Sequence, residues 1–109
     1  MKNFLATCRE HSIEGRLILQ DMQLGYKCSE VLCSILMDKS FYISHLDLRK
    51  NPLGDDGVIV LMHAIKRCNT IVYLDLSSVH MTQKGAIRVL KAISSNESVQ
   101  HLVLSNAEG

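Results

Sequence analysis

The chain has 109 residues, enough for one compact domain or a few units of a repeat array but too few for two independent cores. It is 47% hydrophobic and 21% charged, with no Trp and one Pro, which excludes the weakly hydrophobic, highly charged class that stays disordered. The formal net charge is +1 and Lys and Arg are spread along the chain, so neither nucleic acid nor an anionic membrane surface is an expected partner.

The first segment, MKNFLATCREHS, reads as a helix. It has no long apolar core of a secretion signal, and no later stretch approaches the roughly 18 apolar residues of a membrane span. These features predict a cytoplasmic protein in a reducing compartment, with cytoskeletal association as a further expectation. The four cysteines, Cys8, Cys28, Cys33 and Cys68, form no C-x-x-C pair and have no His at ligand spacing. They read as structural thiols, with neither metal nor cofactor expected.

From residue 16 onward the chain repeats itself. ISHLDLRKNPLGDDGVIVLMHAIKRCNT (43–70) and IVYLDLSSVHMTQKGAIRVLKAISSNES (71–98) superpose without a gap at a period of 28. RLILQDMQLGYKCSEVLCSILMDKSFY (16–42) aligns upstream at a period of 29, and VQHLVLSNAEG (99–109) opens another copy. With 1–15 as the closing helix of a preceding unit, the whole chain reads as one repeat array, incomplete at both ends. Such ends predict either a longer parent chain or packing against another subunit, because terminal repeats ordinarily carry polar caps.

Each unit opens with two leucines one residue apart: Leu17 and Leu19, Leu46 and Leu48, Leu74 and Leu76, Leu102 and Leu104. That is the two-residue period of a strand with one buried face. Five residues past the second leucine comes Leu24, Leu53 or Met81, and four residues further a small side chain, Cys28, Gly57 or Gly85. Apolar residues then take helical spacing, as in Leu32, Ile35 and Leu36, in Leu61, Ala64 and Ile65, and in Val89, Leu90 and Ile93. A strand, a turn and a helix make one unit. One such unit cannot bury both its strand face and its helix stripe, so successive units must stack.

The spacing L-x-x-L-x-L-x-x-N-x-L-x-x-x-G-x-x-x-L, carried by Ile43, Leu46, Leu48, Asn51, Leu53, Gly57 and Leu61, resembles the ribonuclease-inhibitor-like class of leucine-rich repeats. The resemblance implies an α/β fold: a right-handed β/α horseshoe segment with a parallel, concave sheet of about four strands and outer helices. In this class a polar Asn or Cys follows the strand, where its side chain serves the turn's backbone groups. Met22, Val79 and Ala107 stand at that position in the other units, which predicts looser or water-bridged turns there. Ile13 falls one position early as the leading apolar residue, before Glu14 and Gly15, and predicts a bulge or cap near the N-terminus.

Residues lying between the inward leucines should face whatever occupies the curve. Three columns follow: Arg16, His45, Tyr73 and His101; Ile18, Asp47, Asp75 and Val103; and Gln20, Arg49, Ser77 and Ser105. Asp21, Lys50, Ser78 and Asn106 lie just beyond them. Asp47 and Asp75 would oppose like charges on adjacent strands, with Arg49 within reach to neutralise both. The cation, imidazole and phenol of the first column are types suited to recognition, with no packing role on an open sheet.

No phosphate-binding G-x-x-x-x-G-K-[ST] and no G-x-S-x-G elbow occurs. An open sheet face does not desolvate acid and base groups strongly enough to tune them for catalysis. The sequence therefore predicts a non-enzymatic module that binds a protein partner on its concave face. A regulator of a small GTPase and an architectural subunit of a cytoskeletal or ciliary assembly are the alternatives. His63 and His80 read as solvated. Asn96-Glu97-Ser98 matches a glycosylation acceptor but is discounted for want of a signal peptide.

Overall fold

A computed structural model describes residues 4–38 and 41–105. It begins with helix α1 (Phe4–His11), followed by strands β1 (Ser12–Ile13) and β2 (Arg16–Ile18). Three helix–strand pairs come next: α2 (Lys27–Met37) with β3 (His45–Asp47), α3 (Gly54–Ile65) with β4 (Tyr73–Asp75), and α4 (Gln83–Ser94) with β5 (His101–Val103). The strands form one sheet in the order β1-β2-β3-β4-β5. Pairs from β2 to β5 are parallel, each neighbour reached through an intervening helix.

Four parallel strands match the repeat count, but the sheet has a fifth. Residues Ser12 and Ile13 pair antiparallel with Leu17 and Arg16, so the early Ile13 marks a hairpin rather than a bulge. Glu14 and Gly15 form its two-residue turn with φ of 54° and 81°, the doubly left-handed geometry of a tight hairpin connection. Gly15 is also tightly packed: a Cβ there would lie 3.1 Å from Ser44 Oγ. Ile13 ends up 66% exposed on this edge strand.

The inward leucines define the core. Leu17, Leu46 and Leu74 stack in register on β2, β3 and β4 and are fully buried, as are Leu19, Leu48, Leu32 and Leu61. Ile43 and Ile71, the leading residues of their units, are also buried. α2 packs on α3 and α3 on α4, which closes the other side of this cluster. Leu90 departs from its predicted core role and is 57% exposed. Its equivalent 28 residues earlier, Met62, is buried because α4 lies against α3, whereas α4 has no helix on its far side among the described residues.

The small side chains at Gly57 and Gly85 are required by close packing rather than by backbone conformation. A Cβ on Gly57 would sit 3.0 Å from Ser29 Oγ and 3.1 Å from Tyr26 Cα. On Gly85 it would collide with Asp55 Oδ1 and with Met81 Cγ.

The turns leaving the strands share one device. Asp21, Lys50 and Ser78, equivalent by the repeat, all take φ between 55° and 61°, and their own N–H groups continue the ladder past the strands, donating to Arg49 O, Ser77 O and Ser105 O respectively. Gln23 and His80 are left-handed as well, with φ of 60° and 62°. Pro52 occupies the equivalent position in the middle unit, where its ring excludes that conformation, and Gly54 takes φ of 71° two residues on.

Asn51 does more than serve its own turn. Its amide nitrogen donates to Leu48 O (3.0 Å), Arg49 O (3.2 Å) and Leu19 O (2.8 Å). Its amide oxygen accepts from Met22 N (2.9 Å) and Leu24 N (3.1 Å). The turn at Met22 is thus satisfied by Asn51 of the next unit rather than left loose. At Val79 the side chain is buried and its carbonyl accepts from Gly54 N at 2.9 Å. Ala107 lies outside the described residues.

Asn96 plays a comparable part after α4. Its Nδ2 donates to Ile65 O (2.6 Å) and Cys68 O (2.8 Å), while its Oδ1 accepts from the backbone of Ser98 and Val99. That nitrogen is committed to joining two units and is not presented for modification.

Candidate functional site

The sheet face opposite the helices carries the three columns in register. Arg16, His45, Tyr73 and His101 are direct partners across β2, β3, β4 and β5, as are Ile18, Asp47, Asp75 and Val103. Strand alternation dictates this arrangement, since a residue flanking a buried leucine must point to the other face. Asn106, the outlying member of the third column's border, lies outside the described residues.

The first column forms an aromatic ladder. The His45 and Tyr73 rings stack with centroids 4.2 Å apart and planes 12° from parallel. Tyr73 and His101 follow at 6.2 Å and 38°. Parallel strands about 4.8 Å apart place equivalent side chains at ring-stacking distance, so the ladder is a consequence of register. His101 and Arg16 are exposed at its two ends. Arg16 shares a shallow hollow with Glu10, Glu14 and Ile18.

The second and third columns are less open than an extended sheet implies. Asp47 and Asp75 are each only 3% exposed, and Ser77 7%. Arg49 covers the pair. Its Nε lies 3.0 and 3.1 Å from the two Asp47 oxygens, its NH2 group donates to Asp47 Oδ2 at 2.8 Å, and Nε is 3.4 Å from Asp75 Oδ2. Each carboxylate also accepts from the backbone two residues on, Asp47 from Arg49 N and Asp75 from Ser77 N. The like charges on adjacent strands are therefore bridged by one cation, and what the surface presents at that point is guanidinium rather than carboxylate.

Arg49 is held firmly in its charged form, its pKa raised first by the hydrogen bond to Asp47 and then by that carboxylate's charge. A further hydrogen bond, 2.8 Å to Gln20 Oε1, ties it to the neighbouring unit. Its side chain remains 41% exposed. The sequence put Arg49 within reach of both Asp residues, but their near-complete burial was not legible there. The only available signal was the i, i+2 spacing, which lets a carboxylate close on the backbone amide at the end of its own strand.

Other candidates stand as follows. His63 and His80 are exposed. All four cysteines are free. Cys8, Cys28 and Cys68 are buried, while Cys33 is half-buried and its thiol donates to Val60 O at 3.2 Å. Burial pushes the Cys8 thiol up to about 11, with the nearby Cys28 adding to the effect. Such a thiol is a poor nucleophile at neutral pH. Among the described residues, no helix is long and apolar enough to cross a membrane.

A sheet built from strand–helix units, with one leucine each of β2, β3 and β4 buried against the helices and its flanking residues in register on the opposite face, defines a leucine-rich repeat. The chain is a leucine-rich-repeat protein resembling the ribonuclease-inhibitor-like class. The Leucine Rich repeat family model matches residues 39–62, which span the end of one unit, β3 and most of α3. Among similar mouse (Mus musculus) proteins, ribonuclease inhibitor is 35% identical over 75 residues, covering 68% of this chain and 16% of its own length. Protein NLRC5 is 33% identical over 90 residues, 83% of this chain and 5% of its own. NACHT, LRR and PYD domains-containing protein 4C is 24% identical over 102 residues, 93% of this chain and 10% of its own. The chain thus spans less than a fifth of the length of each of these relatives.

Proposed function

We propose that this chain is a non-catalytic protein-interaction module whose open, concave sheet face binds a partner protein. The observation that carries this reading is the in-register ladder of His45, Tyr73 and His101. Three polar-tipped rings stand on a face where they support no core, and such side chains supply large contact area for little lost conformational freedom. Arg49 adds an anchored guanidinium whose position is set before any partner arrives, and preorganised groups lose less on binding. Arg16, Ile18, Gln20, Val103 and Ser105 form the border of the face. Asp47, Asp75 and Ser77 act beneath it, the two carboxylates by holding Arg49. The similarity to a protein named as an inhibitor of a ribonuclease supports binding to another protein as the general mode.

Affinity capture from cell extract, quantified by mass spectrometry, tests this. Wild-type chain is compared with a His45→Ala/Tyr73→Ala variant shown by circular dichroism to keep its secondary structure. The expected outcome is a discrete set of captured proteins whose recovery falls at least about tenfold, corresponding to about 1.4 kcal/mol, in the variant. The same proteins recovered in equal amount would rule out the sheet face as the binding surface.

A further inference from the structure

On the outside of the molecule, the furrow between α3 and α4 gathers positive charge that the linear sequence disperses. His63 and Lys91 occupy equivalent positions 28 residues apart, so stacking the units sets them side by side along the same hollow. Lys66 lies on the same face of α3's end as His63, and Arg88 on the same face of α4 as Lys91, at three-residue spacing in both cases. These four line a hollow of about 200 Å³ whose floor is apolar, formed by Ile59, Met62 and Ala92. Met62 and Ala92 are only 4% and 5% exposed, so the floor is recessed beneath a rim of basic side chains.

Neither helix supplies a nearby acidic group to this rim. α4 contains neither Asp nor Glu, and α3 carries only Asp55 and Asp56, in its first turn. At 1.5 Å per residue the first turn lies on the order of 15 Å from Lys66. Asp55 is moreover engaged with Thr82 and Gly85. Among the described residues, the ion pairs are those of Arg49 with Asp47 and Asp75. The negative end of each helix dipole accounts for one cation near each C-terminus, such as Lys66 and Lys91. It does not account for Arg88, which lies before the last turn of α4.

We propose that this furrow is a second interaction site, separate from the sheet face, which takes an acidic amphipathic segment of a partner protein. One apolar side chain of the segment sits on Ile59, Met62 and Ala92, and carboxylates on either side meet His63, Lys66, Arg88 and Lys91. The size fits: a cavity of about 150 Å³ accepts a benzene ring, so this hollow takes one side chain of Leu or Phe size. Two features favour a peptide over other polyanions. The furrow has no Phe, Tyr or Trp side chain on which a nucleic-acid base could stack, and its apolar groups are recessed rather than projecting as a lipid surface requires.

The test is fluorescence anisotropy on the 109-residue chain. The probe is a fluorescein-labelled peptide of Glu and Asp flanking a central pair of leucines, beside the same peptide with the leucines replaced by glutamine. A labelled oligouridylate and phosphatidylserine-containing vesicles serve as competing ligand classes. The expected result is saturable peptide binding that weakens with added salt. It falls at least about tenfold in Arg88→Glu/Lys91→Glu, falls again without the leucines, and is unmoved by Tyr73→Ala. Both substituted residues are exposed; if the reversal impairs folding, Arg88→Gln/Lys91→Gln replaces it. Absence of saturable binding, binding insensitive to these substitutions or to the loss of the leucines, or tighter binding of the oligouridylate or the vesicles overturns the proposal. A loss caused by Tyr73→Ala would also overturn it, by assigning the peptide to the sheet face.

Discussion

Asn51 joins three stretches of backbone through five hydrogen bonds from one fully buried side chain. Its equivalents in the repeat pattern, Met22 and Val79, cannot do this, so the polar closure of the turn at Met22 rests on a single amide side chain. Replacing it orphans buried carbonyls and N–H groups, each costing about 1–3 kcal/mol. Asn51→Ala is expected to lower stability by at least about 3 kcal/mol, read as a fall in the urea midpoint. Asn51→Asp should also be strongly destabilising, because a carboxylate keeps the two acceptor bonds and turns repulsive toward the three carbonyls. Equal midpoints for Asn51→Asp and wild type would show that the donor side of the amide contributes nothing. Arg49 differs in kind. It is partly solvated, and its part is to let two buried carboxylates face each other on adjacent strands.

The helices are joined to one another as well as to the sheet. Thr82 caps α4, its hydroxyl accepting from Lys84 N at 3.3 Å. Asp55, from the first turn of α3, reaches across to accept from Thr82 N (2.8 Å), the Thr82 hydroxyl and Gly85 N (3.1 Å). One helix start thus caps the next, and Gly85 lacks a side chain because the carboxylate occupies that space. The Thr82 hydroxyl holds the Asp55 pKa below the ordinary carboxylate value; burial opposes it, and the backbone donors of Thr82 and Gly85 and the Lys84 charge add smaller lowering effects. A group whose folded-state pKa is depressed stabilises above its unfolded pKa and loses that contribution as pH falls through the folded value. Stability should therefore decline below about pH 4, and less steeply in Asp55→Asn, which starts lower at neutral pH. Urea midpoints at pH 7 and pH 3 measure this. Parallel pH profiles for the two proteins would exclude Asp55 as a source of the acid sensitivity.

Across the whole molecule one hydrophobic cluster runs from Phe4 and Cys8 on α1 to Val89 and Ala92 on α4. α1 is part of that core: Cys8 is fully buried, and Arg9 lies over the Phe41 ring at 5.2 Å. A thiol so placed, with its pKa raised to about 11, reacts only when the structure opens. Labelling with a maleimide at pH 7, followed by peptide mass mapping, should modify half-buried Cys33 first and Cys8 only as denaturant exposes the core. Rapid modification of Cys8 without denaturant would mean that α1 detaches from the array under native conditions.

The repeat itself was legible from the chain alone, for a physical reason. Stacked units must bury the same positions over and over, so the leucine pairs, the small residues at Gly57 and Gly85, and the helix stripes recur at a fixed period. Strand register follows from that period, and with it the membership of each column. The sequence did not show what neighbouring units do to one another. The β1 hairpin arises because Glu14 and Gly15 turn the chain back on itself, which a strand of two residues cannot signal by periodicity. Leu90 matches the helical stripe yet lies exposed, since its burial depends on a following helix and not on its own spacing. Met22's turn is closed by an amide 29 residues away, and the burial of Asp47 and Asp75 depends on the reach of Arg49. The basic furrow on the outer face was equally invisible, because its basic side chains come from two neighbouring units whose adjacency exists only in the folded array. Local periodicity determines which residues share a face; only the stacking of units determines which of those faces are covered, neutralised or left open.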